Sequence, residues 1–394
     1  KELTGSLEEL EKTFRANRPH LSEGPNDPVP DLSQEQIRFL EWYGANTPTA
    51  PELTRPTLDT FAKRIANSND SGMGTDRIPN AFYRINPRVF AEILDWEVEY
   101  RECNPENPDP IPQLLSWIPK ANAGMTDECW RPLSVPTTYN RHLTGGVTDW
   151  VTKEWGEALD HRQTLSGEFK EAHANYRAAQ SHLSENQSNH QADDPLSSVL
   201  FTDLVKAFEL LNPKWIRGVL EARKAPTWLK NVIECFIGPR IAIAKVMGRL
   251  VRTVNVNIGV DMGNALAPWI FCLALDPLIR YANKIPGVIS MKAYMDDTNT
   301  ACHETVAIMR IQNMWDIMGE AGLIVAKHTC IEVRQNETKH RGASLCRILR
   351  QIKQEAGSEQ HVYVNGHPYQ IKEILTEEGL CTPGILREMH TRQC

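Results

Sequence analysis

Residues 290 to 300 read Ser-Met-Lys-Ala-Tyr-Met-Asp-Asp-Thr-Asn-Thr. Two adjacent acids between strand-favouring stretches predict a β-hairpin with Asp296 and Asp297 at its tip. A turn presents carboxylate oxygens on a stiff support, a setting in which a hard divalent cation such as Mg²⁺ can be held. A solvated acidic turn is the other reading. The two differ in what they require elsewhere, because one acid pair cannot by itself hold a centre for phosphoryl transfer.

A second carboxylate lies upstream. Ser197 to Leu204 reads as a short buried strand and Lys206 to Leu211 turns helical, so Asp203 stands at a strand end beside a helix start. Two cations about 4 Å apart activate an attacking hydroxyl and stabilise a leaving group, which requires acids from separate strands to converge. The alternative for Asp203 is a helix-capping role.

With 394 residues and 41% hydrophobic content, the chain can bury one large core or two smaller ones. Nine cysteines without a Cys-x-x-Cys pair argue against a disulfide framework or zinc ribbon and for a reducing compartment. Cys302-His303 and His328-x-Cys330 come nearest to a ligand cluster, and packing and surface roles account for them. Cys381, His390 and Cys394 lack the fourth ligand of a zinc knuckle. The longest apolar stretch, Ala265 to Leu275, contains Pro268 and falls short of the roughly 20 residues that span a bilayer, so no membrane anchor is expected. No charged-then-apolar leader follows Lys1, so no signal peptide is expected either.

The net charge of −7 weighs against a partner rich in phosphate, but the charge is unevenly spread. Residues 1 to 60 hold 11 acids against 6 Lys and Arg, whereas residues 203 to 252 hold 4 against 10. A local basic face can still follow a duplex, and a solvated helix face explains part of the same charge.

Local patterns predict a helix from Leu7 to Asn17, a Pro-rich connector from Pro25 to Pro30, and a second helix from Ser33 to Tyr43. That second helix opens on a Ser33–Gln36 capping box and carries an Ile37, Leu40, Trp42 stripe. Pro105 to Pro112 reads as a surface loop. Leu165, Phe169, Ala172, Tyr176, Ala179 and Leu183 form one stripe of a long helix, packed on its domain or forming a coiled coil, followed by a polar connector from Ser184 to Pro195. A helix from Val306 to Gly319 is expected behind the hairpin with Ile308, Ile311, Trp315 and Met318 inward.

Taken in order, these motifs resemble the reverse transcriptases of non-LTR (LINE-type) retroelements. Tyr294-Met295-Asp296-Asp297 is similar to the core motif of that family. Ser71 to Tyr83 resembles its Gly-rich segment before the fingers, and Trp117 to Lys120 with Trp130 to Ser134 its paired finger motifs. Asp203 to Phe208 resembles motif A. Ile258 to Pro268, leading into Phe271 and Leu275 to Leu278, resembles motif B, and Gly322 to Val325 with Lys327 the segment after the hairpin. The likeness implies an α+β right-hand polymerase fold, with fingers and a palm whose antiparallel sheet is covered by helices, and a thumb absent or incomplete. The expected divisions are an acidic leader at 1–60, fingers at 61–196, palm at 197–335, and the end of the palm with a possible thumb start at 336–394.

The resemblance also implies roles. Asp203 and Asp296 would bind two Mg²⁺ or Mn²⁺ ions, with Asp297 supporting the site and the Leu204 carbonyl as an added ligand. Phe208 would sit against the sugar edge of the incoming nucleotide and exclude a ribose 2′-hydroxyl, or else belong to the core. Lys120 and Arg131 would hold the triphosphate, or form a surface pair. Gly263 would let the chain approach the template closely. Met262 stands where the family usually carries Gln, and Asn264, Ala265 and Ala267 also depart from its pattern. The implied partners are an RNA template, a DNA primer and deoxynucleoside triphosphates. The implied location is intracellular, and nuclear if the chain acts like the eukaryotic elements.

Two functional readings follow: an RNA-directed DNA polymerase extending a primer 3′-hydroxyl, or a degenerate or domesticated homologue that binds nucleic acid without polymerising. A metal-dependent nuclease using the same acids is a third, disfavoured because nothing before the fingers resembles the endonuclease of these elements.

Overall fold

The computed structural model describes residues 21–22, 28–104, 113–119, 130–163, 197–246, 249–302, 305–333, 361–364, 367–370, 375–376 and 379–380. The predicted helices at Leu7 to Asn17 and Leu165 to Leu183, and the predicted loop at Pro105 to Pro112, lie outside these residues. Strand β1 (Leu21–Ser22) is followed by helices α1 (Gln34–Asn46), α2 (Leu58–Ala66), α3 (Asn80–Arg84) and α4 (Pro87–Cys103), strands β2 (Gln113–Pro119) and β3 (Trp130–Val135), and helix α5 (Thr138–Trp155). Next come β4 (Ser197–Leu204), α6 (Ala207–Leu210), α7 (Pro213–Ala222), α8 (Thr227–Ile237), β5 (Arg240–Val246) and β6 (Arg249–Val256). The remaining elements used below are α9 (Ala267–Ala282), β7 (Val288–Tyr294), β8 (Asp297–Cys302), α10 (Thr305–Ile317) and β9 (Val325–Val333).

The chain divides into two compact units, each assembled from separate stretches. The first comprises Lys1–Ala158, Phe208–Ala274 and Glu320–Gly322. Its five-stranded sheet has the order β1-β6-β5-β2-β3, with only the β2–β5 pair parallel. The two Trp-containing finger motifs of the sequence are the antiparallel neighbours β2 and β3, Ile118 opposite Arg131. Around the core, α2 packs on α4 and α5, α8 on α4, and α1 on α7. Trp155, Trp215 and Trp228 are almost wholly buried, and each indole N–H donates to a carbonyl, of Pro51 at 2.8 Å, Ala274 at 2.9 Å and Leu53 at 3.2 Å. Burial of such rings is worth about 1.5–3 kcal/mol apiece only when the polar handle is satisfied in this way.

Helix α1 starts as the sequence predicts. The Ser33 hydroxyl accepts from the Gln36 amide at 3.2 Å, and the Gln36 side chain accepts from the Ser33 amide at 3.1 Å. The predicted stripe holds at Leu40 and differs at its ends. Gln36, Leu40 and Tyr43 are buried and Ile37 is exposed, because the capping box draws Gln36 inward and the i, i+4, i+7 face follows from it.

The second unit comprises Leu159–Ala207, Leu275–Gly319 and Leu323–Cys394. Its antiparallel sheet has the order β7-β8-β4-β9. Side chains alternate across a strand, so the register fixes two unlike faces. Leu200, Thr202 and Leu204 of β4 share a face with Thr298 and Thr300 of β8, while Asp203 shares the other with Asp297 and Asn299. Helix α10 packs on β8. Of its predicted inward residues, Ile311 and Trp315 are buried, as is Met318 just beyond its end; the side chain of Ile308 lies outside the described set.

Candidate active site

The hairpin predicted at residues 290 to 300 forms. Strands β7 and β8 close on the pair Tyr294–Asp297, leaving Met295 and Asp296 as a two-residue turn. Met295 has φ +53°, a conformation that a non-glycine residue adopts at a cost of order 1 kcal/mol. Asp297 therefore begins β8, and Asp296 occupies the tip.

Asp203 reaches the same place from β4. The β4–β8 ladder ends at Thr202 opposite Thr298, so continuing the register by one residue sets Asp203 across from Asp297 on the same face. Beyond Asp203 the β4–β9 register slips, with Asp203 opposite Lys327 and Leu204 opposite Val325. Lys206 follows with φ +43°. A bulge at this point bends the strand and re-aims the residues beside it. Leu204 ends the strand, buried, and the next amide, that of Val205, donates to the Ile324 carbonyl at 2.8 Å.

The face that carries the acids is polar. Lys292 pairs in register with Asn299, next to Tyr294 opposite Asp297. Burial first, and the Arg162 guanidinium second, lower the Lys292 ammonium below the ordinary lysine range. A hard divalent cation suits the carboxylate donors, and the backbone brings two strands' acids to one edge. Among the described residues no group of three or more His, Cys, Asp or Glu side chains is arranged to hold a metal ion.

The other predicted site residues belong to the first unit. Phe208, in α6, is half-buried and stacks on Phe271, ring centroids 4.7 Å apart and planes at 25°. Gly263 is exposed at φ +103°, where a β-carbon would collide with the Ser134 carbonyl oxygen. The close approach it permits is thus to the chain itself. The neighbouring Met262 carbonyl accepts from the Ser134 amide at 2.6 Å. Lys120 lies outside the described residues. Arg131 is placed in β3 by its backbone, and its side chain is outside them.

Three features were not visible in the sequence. Arg240, on β5, donates to Asp261 through Nε at 2.9 Å and Nη2 at 3.0 Å, and to the Gly259 carbonyl at 3.1 Å, with both side chains buried. This pair anchors the loop that carries Gly263. Asn264, a departure from the family pattern, is buried, and its side chain accepts from the Leu266 amide at 3.0 Å at the entry to α9. Finally, a cavity of about 840 Å³ is lined by Lys63, Arg64, Arg141, His142, Asp149 and Trp150 among others. His142 there is buried, its Nε2 has no partner, and burial followed by Arg64, Arg141 and Arg84 lowers its pKa to about 4.

Over 245 residues the chain is 21% identical to the retrovirus-related Pol polyprotein from type-1 retrotransposable element R2 of Nasonia vitripennis. That alignment covers 58% of this chain and 21% of the polyprotein, so the chain spans about a fifth of that relative's length. Residues 118–344, more than half of the chain and inclusive of all three acids, match the family described as reverse transcriptase (RNA-dependent DNA polymerase). Together with the ordered motifs, this places the chain in the reverse transcriptase family, as a domain of the non-LTR retroelement kind.

Proposed function

We propose that the chain is an RNA-directed DNA polymerase that extends a primer 3′-hydroxyl along an RNA template with deoxynucleoside triphosphates. The observation that carries this reading is the register that sets Asp203 across from Asp297, with Asp296 on the turn between β7 and β8. Reverse transcriptases use divalent metal ions; Asp203, Asp296 and Asp297 would hold two Mg²⁺ or Mn²⁺ here, with the Leu204 carbonyl as an added ligand. Ions so held lower the charge of the triphosphate and the pKa of the attacking hydroxyl. Phe208 would restrict the sugar, Lys120 and Arg131 would neutralise the phosphates as pyrophosphate leaves, and Gly263 would keep its loop's course. If the chain acts like the eukaryotic elements it resembles, the reading implies work in the nucleus.

A second reading, a homologue that binds nucleic acid without polymerising, is favoured by the loop after β6. Asp261 is committed to Arg240 and Asn264 to the loop backbone, and Met262 supplies no hydrogen-bond donor to a nucleotide. Primer extension on an RNA template with Mg²⁺ or Mn²⁺ separates the two. The polymerase reading expects extension that falls by at least about 10³-fold in Asp203→Asn, with primer–template affinity retained. Binding without extension by the unaltered chain establishes the second reading.

A further inference from the structure

Strand β7 carries the hairpin, yet among the described residues it is the edge of its sheet, with β8 its one strand neighbour. Edge strands leave a row of backbone groups that must find partners in water or elsewhere. Here two of the residues nearest the turn find them in built contacts. The Asn283 side chain accepts from the Met291 amide at 2.9 Å and donates to the Met291 carbonyl at 3.1 Å. One side-chain amide thus replaces both bonds of a missing strand. Two residues closer to the turn, the Ala293 amide donates to the Arg162 carbonyl at 3.1 Å.

The second contact is held in turn by a buried carboxylate. Asp276, fully buried in α9, accepts from the Asp160 amide at 2.6 Å and the Gln163 side chain at 2.9 Å, and from Arg280 Nε at 2.7 Å. These bonds fix the turn of residues 160–163 on either side of Arg162, and Gln163 forms an isolated bridge with Ala293. The C-terminal half of α9 and the residue after it therefore grip β7 twice, directly through Asn283 and through the Asp276-held turn. The grip ends one residue before Tyr294 and two before the positive-φ Met295.

We propose that Asn283 and Asp276 are positioning residues that hold the Tyr294–Asp297 hairpin at the height where its carboxylates meet Asp203. The proposal rests on the polymerase reading for its kinetic consequence, but the bracket itself is testable without catalysis. A plain edge cover would protect the strand while leaving the turn's position free, whereas a bracket joined to the residue before Tyr294 transmits its loss to the turn.

The experiment measures amide hydrogen exchange across residues 288–302, together with primer extension, in the unaltered chain and in Asn283→Ala, Asn283→Asp and Asp276→Asn. Asn283→Ala should accelerate exchange at Met291 and through the turn to Asp297, leaving β4 protected. It should lower kcat about tenfold and raise the Mg²⁺ concentration for half-maximal rate, with nucleotide KM and primer–template affinity unchanged, since a misplaced ligand costs rate rather than binding. Asn283→Asp, which still accepts from the Met291 amide but cannot donate, should fall between the two. If Asp276→Asn does not fold, the Asn283 pair carries the test alone. Unchanged exchange at the turn, or equal acceleration over the whole sheet, overturns the proposal whatever the kinetics. Local acceleration in a chain that never extends a primer upholds the bracket and removes the polymerase reading instead.

Discussion

The acid-bearing sheet edge and the loop around Gly263 are both held in fixed positions, by opposite means. At the sheet edge, carboxylates are placed by strand register and by neutral hydrogen bonds that β7 amides donate to the Asn283 side chain and the Arg162 carbonyl. In the loop, position comes from a buried ion pair, Arg240 with Asp261, reinforced by main-chain carbonyls. A region that need only keep its shape can consume its charges internally, as this loop does. Charge that is paired in the fold is lost to ligands.

The largest effect expected from that contrast is at the ion pair. Arg240→Leu should destabilise the chain by about 3–5 kcal/mol, because it strands a buried carboxylate, and Arg240→Leu with Asp261→Leu should recover much of the loss. Chemical denaturation of the single and double variants measures this. A single variant as stable as the unaltered chain would show that the loop does not depend on the pair.

His142 shows the other way of burying an ionisable group, by keeping it neutral. Its folded pKa of about 4 lies below the unfolded value near 6.5, so between these the unfolded chain binds more protons. Its contribution is therefore intact above pH 6.5 and is lost progressively as pH falls toward 4, by roughly 3 kcal/mol in full. The stability difference between the unaltered chain and His142→Phe, followed from pH 7 to pH 4.5, should narrow or reverse in favour of the variant; a pH-independent difference would mean that the imidazole titrates in the fold as it does in the unfolded chain.

At the hairpin the expected change is small. Met295→Gly removes the cost of φ +53° but gives the unfolded chain more freedom, so thermal unfolding should move by no more than about 1 kcal/mol equivalent. A large loss would mean that the Met295 side chain, not the turn geometry, holds the hairpin.

What was legible in the sequence was local. The hairpin, the Asp203 strand and the Ser33 cap each rest on a few neighbouring residues whose pattern allows few conformations. Arg240 and Asp261 carry no local signal because they are 21 residues apart and meet only once β5 and β6 have paired. Asn283 carries no signal in the sequence, since the side chain that covers an edge strand follows no periodic pattern. The inward stripe of α1 was misplaced because Ile37 outranks Gln36 in hydrophobicity, while the capping box decides which of them turns inward. The cavity around His142 gathers residues from α2, α5 and the segments between, and no short window contains it.

The most direct test of the account is a structure with Mn²⁺, a primer–template duplex and a non-hydrolysable nucleotide, in which anomalous scattering locates the metal. Two ions bridged by Asp203 and the Asp296–Asp297 turn are the predicted result. Manganese bound elsewhere, or absent with the duplex and nucleotide in place, would contradict the claim that this sheet edge is a catalytic centre.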